Sequence, residues 1–271
     1  MGEEVWIAFL LTLMAGLATG IGSLIAFFTS TTNTKFLSWA LGFSAGVMIF
    51  ISFVEIYPKA LEALTNSSGV EMGKWLTVLS FFFGMLLIAV IDRFVPNEKN
   101  PHEVKKVEDM NRSLREVHKQ QPDLLKMGTF TALAIAIHNF PEGIATFASA
   151  LHDPTLGVAI AIAVAIHNIP EGIAVSVPVY YATGSRKKAF KLSFLSGLAE
   201  PLGAVVAFLF LMPYLNEMMF GIIFAAVAGI MVFISLDELL PAAREYDEGH
   251  STIYGVVFGM AIMAVSIILF M

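Results

Sequence analysis

The 271-residue chain contains no cysteine, which removes disulfides, thiolate metal cages and any chemistry built on a nucleophilic or redox-active thiol. Charge is scarce too: 14% of residues are Asp, Glu, Lys or Arg, where a soluble domain carries about a quarter. With 57% apolar residues and a mean hydropathy of +0.76, this is not a globule surrounded by water. Gly at 21 and Pro at 11 are too few for collagen-like or low-complexity chains. A net charge of −6 gives no sign of a nucleic-acid partner. The alternating ten-residue pattern of an outer-membrane barrel is also missing. What remains is an all-α integral membrane protein, solvated by the lipid bilayer.

Apolar stretches of the roughly 20 residues that a bilayer span requires fall near 5–28, 36–57, 74–94, 127–150, 156–181, 190–212, 218–242 and 252–271. The chain is therefore expected to form eight transmembrane helices in a single domain, 1–271. Glu3 and Glu4 without any Lys or Arg make the amino terminus a poor signal peptide, so the first span is expected to be retained. With both termini outside, the inside loops hold 14 of the 16 basic residues and the outside loops only Lys59 and Lys74. The polar connection at about 93–126 is then cytoplasmic. Its His102 and His118 are expected to belong to a solvated linker, with a regulatory metal site as the alternative reading.

Two repeats are visible. Ala45-Gly-Val-Met-Ile-Phe-Ile-Ser-Phe-Val-Glu-Ile-Tyr-Pro58 in the second span matches Ala228-Gly-Ile-Met-Val-Phe-Ile-Ser-Leu-Asp-Glu-Leu-Leu-Pro241 in the seventh. More weakly, Gly16-Leu-Ala-Thr-Gly-Ile-Gly22 in the first resembles Gly197-Leu-Ala-Glu-Pro-Leu-Gly203 in the sixth. An offset of five spans makes the copies antiparallel, a pattern found in transporters whose substrate sits between the repeats near mid-membrane. The tighter repeat is His138-Asn-Phe-Pro-Glu-Gly143 in the fourth span and His167-Asn-Ile-Pro-Glu-Gly172 in the fifth, which differ at one apolar position.

On a helix His138 and Glu142 share a face with Asn139 beside them, and Thr131, Thr146 and Ser149 fall on the same stripe. His167, Asn168 and Glu171 repeat that core. Pro141 and Pro170 remove a backbone donor from each motif, which suggests locally unwound backbone lining a cavity. Glu142, Glu171 and Glu200 lie deep in spans that offer no Lys or Arg at their level, with Glu55, Asp237 and Glu238 nearer span ends. Each buried carboxylate costs about 2.5–3.5 kcal/mol on insertion, so compensation is needed. A dication supplies it. Imidazole, carboxylate and amide oxygen suit borderline ions such as zinc, iron, manganese or cobalt.

The paired His-Asn-x-Pro-Glu-Gly motifs, with Gly197-Leu-Ala-Glu-Pro201 in the sixth span, resemble the ZIP family of metal-ion transporters, its bacterial branch above all. The resemblance spans essentially the whole chain. It implies a 3+2+3 inverted-repeat bundle, commonly a homodimer, in the cytoplasmic membrane. It further implies uptake of divalent metal (zinc, also iron, manganese, cobalt or cadmium) by alternating access, with no catalysis and no resident cofactor. By resemblance, His138, Glu142, His167 and Glu171 form one metal site and Asn139, Asn168 and Glu200 a second, with Glu142 and Glu171 bridging them. Spans one, four, five and six would carry the metal past a scaffold of the other four. A cation/proton exchanger and a membrane-embedded metallohydrolase are the competing readings of the same residues.

Overall fold

The computed structural model describes residues 2–28, 34–94, 117–183, 185–245, 247 and 249–270, and among them there are helices and short turns but no strand. In chain order these are α1 (Gly2–Phe28), α2 (Thr34–Ile51), α3 (Tyr57–Ser68), α4 (Val70–Phe94), α5 (Val117–His152), α6 (Pro154–Thr183), α7 (Arg186–Gly197), α8 (Ala199–Val206), α9 (Glu217–Ile234), α10 (Leu240–Glu245) and α11 (Ser251–Phe270). Seven segments among the described residues are long and apolar enough to cross a membrane. The expected span at 127–150 lies within α5. This is a helical membrane bundle. The expected loop at 93–126 differs in its second part, where α5 already begins at Val117. His102, and the side chains of His118 and Thr131, lie outside the described residues.

The second span runs unbroken from Lys35 to Ser68. Pro58 lacks the N–H that an α-helix would need there, and the chain absorbs this with a π-helical turn, Ser52–Ile56, that joins α2 to α3. The repeat partner behaves alike: Ser235–Leu239 is a π-helical turn joining α9 to α10 just before Pro241. The prolines of the paired motifs act differently. α5 and α6 continue through Pro141 and Pro170, so the unwinding expected there does not occur. Pro φ is helical, and a single lost hydrogen bond can be tolerated between packed helices.

Glycines at the helix crossings reveal how the bundle is assembled, because a methyl group at these would overlap a neighbouring backbone carbonyl. Gly22 of α1 faces the carbonyl of Ile169 in α6, and Gly203 of α8 faces that of Phe140 in α5. Gly172 faces Thr19, and Gly143 faces Glu200. Gly16 and Gly197 face each other's carbonyls. Each contact maps onto its partner when α1 exchanges with α7–α8 and α5 with α6. The bundle therefore has an internal two-fold that passes between Gly16 and Gly197. The remaining spans obey it as well: Gly46 of α2 meets Val256 in α11, and Gly229 of α9 meets Phe81 in α4. Direct backbone approach of this kind suits a bilayer, where apolar side chains gain little by leaving lipid.

Apolar packing fills the space between α2, α9 and α6, with Leu41, Met48, Ile51, Ile160, Phe224 and Ile234 buried. One polar tether closes the turn before α11. Asp247 accepts from the backbone N–H groups of Gly249 (2.9 Å), Ser251 (3.2 Å) and Thr252 (3.1 Å). Desolvation opposes the charge of Asp247, yet these donors and the Thr252 hydroxyl hold its pKa down to about 2. The tether therefore contributes above the ordinary carboxyl range and is lost only as pH falls toward 2.

Gly172→Val puts two methyl groups where the Thr19 carbonyl lies, and backbone cannot move aside as a side chain can. We expect it to lower Tm in detergent by at least the equivalent of about 1–3 kcal/mol, or to prevent folding. Gly249→Ala, with open space around it, should leave Tm unchanged. Equal melting of the two variants would show that these backbone contacts do not hold the bundle.

Candidate metal site

The paired motifs face one another because Gly143 and Gly172 let α5 and α6 sit close against α8 and α1. His138, Asn139, Glu142, His167, Asn168, Glu171 and Glu200 are all at most 5% exposed. Such burial needs partners, since an unsatisfied polar group away from water costs several kcal/mol in hydrocarbon.

Five contacts of these residues cross between helices. His167 Nε2 lies 3.4 Å from Glu142 Oε1, joining the two motifs, but without hydrogen-bond geometry. The Asn168 amide donates to Glu200 Oε1 and, at 2.9 Å, to the carbonyl of Ala15. His138 Nε2 lies 2.8 Å from Glu238 Oε1. Asn139 donates to the carbonyl of Ser196 at 3.4 Å, which is the two-fold image of Asn168 on Ala15. Glu171 lies within electrostatic reach of His167, Glu142, His138 and Glu238, and Glu200 within reach of Glu142 and Glu171.

Glu238 is the residue that the sequence motifs do not bring into this cluster. It lies near a span end and 100 residues from His138, so periodicity carries no hint of the contact. Its own signal was the Glu-x-x-Pro shared with Glu55. Thr146 and Ser149 are buried as their stripe predicts, and Thr146 Oγ1 has no hydrogen-bond partner. The two-fold breaks chemically where α1 has Thr19 at the place that α8 fills with Glu200.

Both oxygens of Glu142, Oε2 of Glu171 and of Glu200, Oδ1 of Asn139 and of Asn168, and both ring nitrogens of His167 are buried without a hydrogen bond. Lone pairs left over on carboxylate, amide oxygen and imidazole form a donor set suited to a borderline dication. Among the described residues, no three His, Asp or Glu groups stand close enough to hold a metal ion as they are. They are paired with one another instead. Binding would have to trade the His138–Glu238 and His167–Glu142 contacts for metal ligation.

The profile of the family described as "ZIP Zinc transporter" matches residues 3–126 and 95–267. A "Zinc transporter ZupT" of Oceanobacillus iheyensis is 72% identical over 267 residues, covering 98% of this chain and 99% of its own. Proteins of the same name from Lysinibacillus sphaericus and Streptococcus mutans are 69% and 60% identical, with 99% and 100% of each chain covered.

A carboxylate with two unbonded oxygens destabilises the fold that keeps it. Glu142→Met, apolar and similar in volume, should raise Tm in metal-free detergent, by an amount equivalent to about 1 kcal/mol or more. The same variant should lose the stabilisation that added zinc gives the parent. A lower Tm for Glu142→Met would mean that the carboxylate is a structural partner and not a strained ligand.

Proposed function

This chain belongs to the family of ZIP zinc transporters, which are transporters and not enzymes, and from that premise we propose that it carries zinc across the cytoplasmic membrane into the cell. The observation that carries the reading is the set of unbonded lone pairs around Glu142 and His167. In this reading residues 1–271 form one transport domain, with both termini outside and the 93–126 stretch in the cytoplasm. The 14-to-2 distribution of basic residues supports that orientation.

His138, Glu142, His167 and Glu171 hold one ion, and Asn139, Asn168 and Glu200 a second. Glu142 and Glu171 each lie one turn from a histidine and three residues from an asparagine, so each can serve both. Glu200 reaches Asn168 and serves the asparagine side alone. The ion passes by alternating access. The two-fold supports this: α1, α5, α6 and α7–α8 are bound together by glycine–carbonyl contacts, as are α2 with α11 and α4 with α9, in a separate group. The donor set admits iron, manganese, cobalt and cadmium beside zinc. Assembly as a homodimer completes the reading. The outward-facing Trp75, Leu79, Phe82 and Leu86 of α4 offer a face for lipid or for a second copy.

Flux into liposomes across a panel of dications tests the activity, and liposomes that take up no zinc would refute it. Glu142→Ala or Glu171→Ala should remove most uptake, whereas Glu200→Ala should keep metal bound at the histidine side and lose less. Loss of all binding in Glu200→Ala beside unchanged uptake in Glu142→Ala would reverse this division. Protons compete for the same lone pairs, so zinc affinity should fall between pH 7.5 and 5.5. Cysteines placed at exposed Thr155 and Lys187 in this cysteine-free chain should react from opposite sides of intact cells. Labelling of position 187 by an impermeant reagent from outside would invert the orientation.

A further inference from the structure

Glu55 is a buried carboxylate, 7% exposed, that takes no part in the His/Asn/Glu cluster. It occupies the π-helical turn Ser52–Ile56 at the place that Glu238 holds in Ser235–Leu239. The correspondence extends to individual bonds. Ser52 Oγ donates to the Met48 carbonyl at 2.6 Å, and Ser235 Oγ to the Met231 carbonyl at 2.8 Å. Each turn closes with an N–H, from Tyr57 or Leu240, on the carbonyl of that same serine. One platform is thus built twice, on antiparallel spans, and the two carboxylates lie toward opposite faces of the membrane.

Glu238 uses its platform to meet His138. The two-fold that exchanges α5 with α6 makes His167 the image of His138, so the image of that contact is Glu55 with His167. The structure does not make it: His167 stands against Glu142, and the charged neighbours of Glu55 are Lys59 and Asp153. Lys59 and Asp153 border a polar cavity of about 200 Å³, further lined by Glu62, Asn66, His152 and Glu217. On one side, therefore, the charged neighbours of Glu55 border a polar cavity, and on the other the symmetry of the fold assigns it an imidazole.

We propose that Glu55 is a metal-ligating residue on the face opposite Glu238: it takes a borderline divalent cation from the side of this cavity and shares it with His167, in the place that Glu238 occupies against His138. An inverted repeat offers every contact made on one face to the other face, and a protein that alternates uses both in turn. Lys59, one turn from Glu55, holds a positive charge beside the carboxylate until a dication replaces it. The proposal rests on the transport reading above.

Zinc uptake presented from the Glu55 side should be compared for the parent, Glu55→Gln and Glu55→Asp. Glu55→Gln should raise the half-saturating zinc concentration about tenfold, the scale on which a lost partner weakens a metal site, and change the saturated rate much less. Glu55→Asp should recover most of the affinity. A carboxylate that only supports packing would lower yield and saturated rate together and leave half-saturation in place, and that result overturns the proposal. Independently of flux, Glu55→Cys combined with His167→Cys should be bridged by Cd²⁺, shielding both thiols from maleimide where neither single cysteine is shielded. Absence of shielding also overturns it, even if Glu55→Gln fails to fold. A parent that moves no zinc defeats the transport reading instead, while the cysteine pair still decides whether Glu55 and His167 meet.

Discussion

Carboxylates at membrane depth with no Lys or Arg at their level set the terms for the rest of this protein. In hydrocarbon, a charge without a counter-charge is tolerated only where the surrounding polar groups are placed to share it. Glu142, Glu171 and Glu200 achieve this through imidazoles and amides on neighbouring helices, but incompletely, and several lone pairs stay unbonded. The helices that carry these residues must therefore approach closely and hold their register. Glycine against carbonyl is what provides both, since it fixes spacing to backbone dimensions rather than to adaptable side chains.

The same contacts explain why the fold is two-fold symmetric in detail and not just in outline. Gly172 on Thr19 and Gly143 on Glu200 are one contact made twice, as are Asn168 on Ala15 and Asn139 on Ser196. Asymmetry includes chemistry that one half alone possesses, Glu200 against Thr19, and the contact that Glu238 makes and Glu55 does not. Chemical differences between the halves are then the features to associate with direction and ion choice, because the scaffold itself is neutral between the two faces.

Much of this was legible in the sequence. Span length and the doubled His-Asn-x-Pro-Glu-Gly depend on local composition and spacing, and the helices lie where these place them. The repeat joining Ala45–Pro58 to Ala228–Pro241 was equally readable, since its identities include Ala-Gly, Ser and Glu-x-x-Pro, which coincidence in apolar sequence rarely matches. What could not be read depends on distant geometry. Nothing local says that Glu238 meets His138, that the helix of the second span continues through a π turn to Ser68, or that Pro141 and Pro170 leave their helices intact. The start of α5 at Val117 was hidden because Lys119, Gln120, Gln121 and Asp123 look like linker, whereas a helix leaving the bilayer can carry such residues.

The unbroken helix from Lys35 to Ser68 is 34 residues long, which at 1.5 Å per residue is about 51 Å. A hydrocarbon core of about 30 Å cannot contain it, so its last turns stand at the level of the lipid headgroups. Lys59, Glu62 and Asn66, which border the polar cavity, belong to those turns. The bilayer then acts as a reservoir as well as a solvent. Anionic headgroups concentrate divalent cations within about a Debye length of their plane, the same layer in which the cavity opens. A change in lipid composition alters the metal activity that the protein samples, with no change to any residue in it.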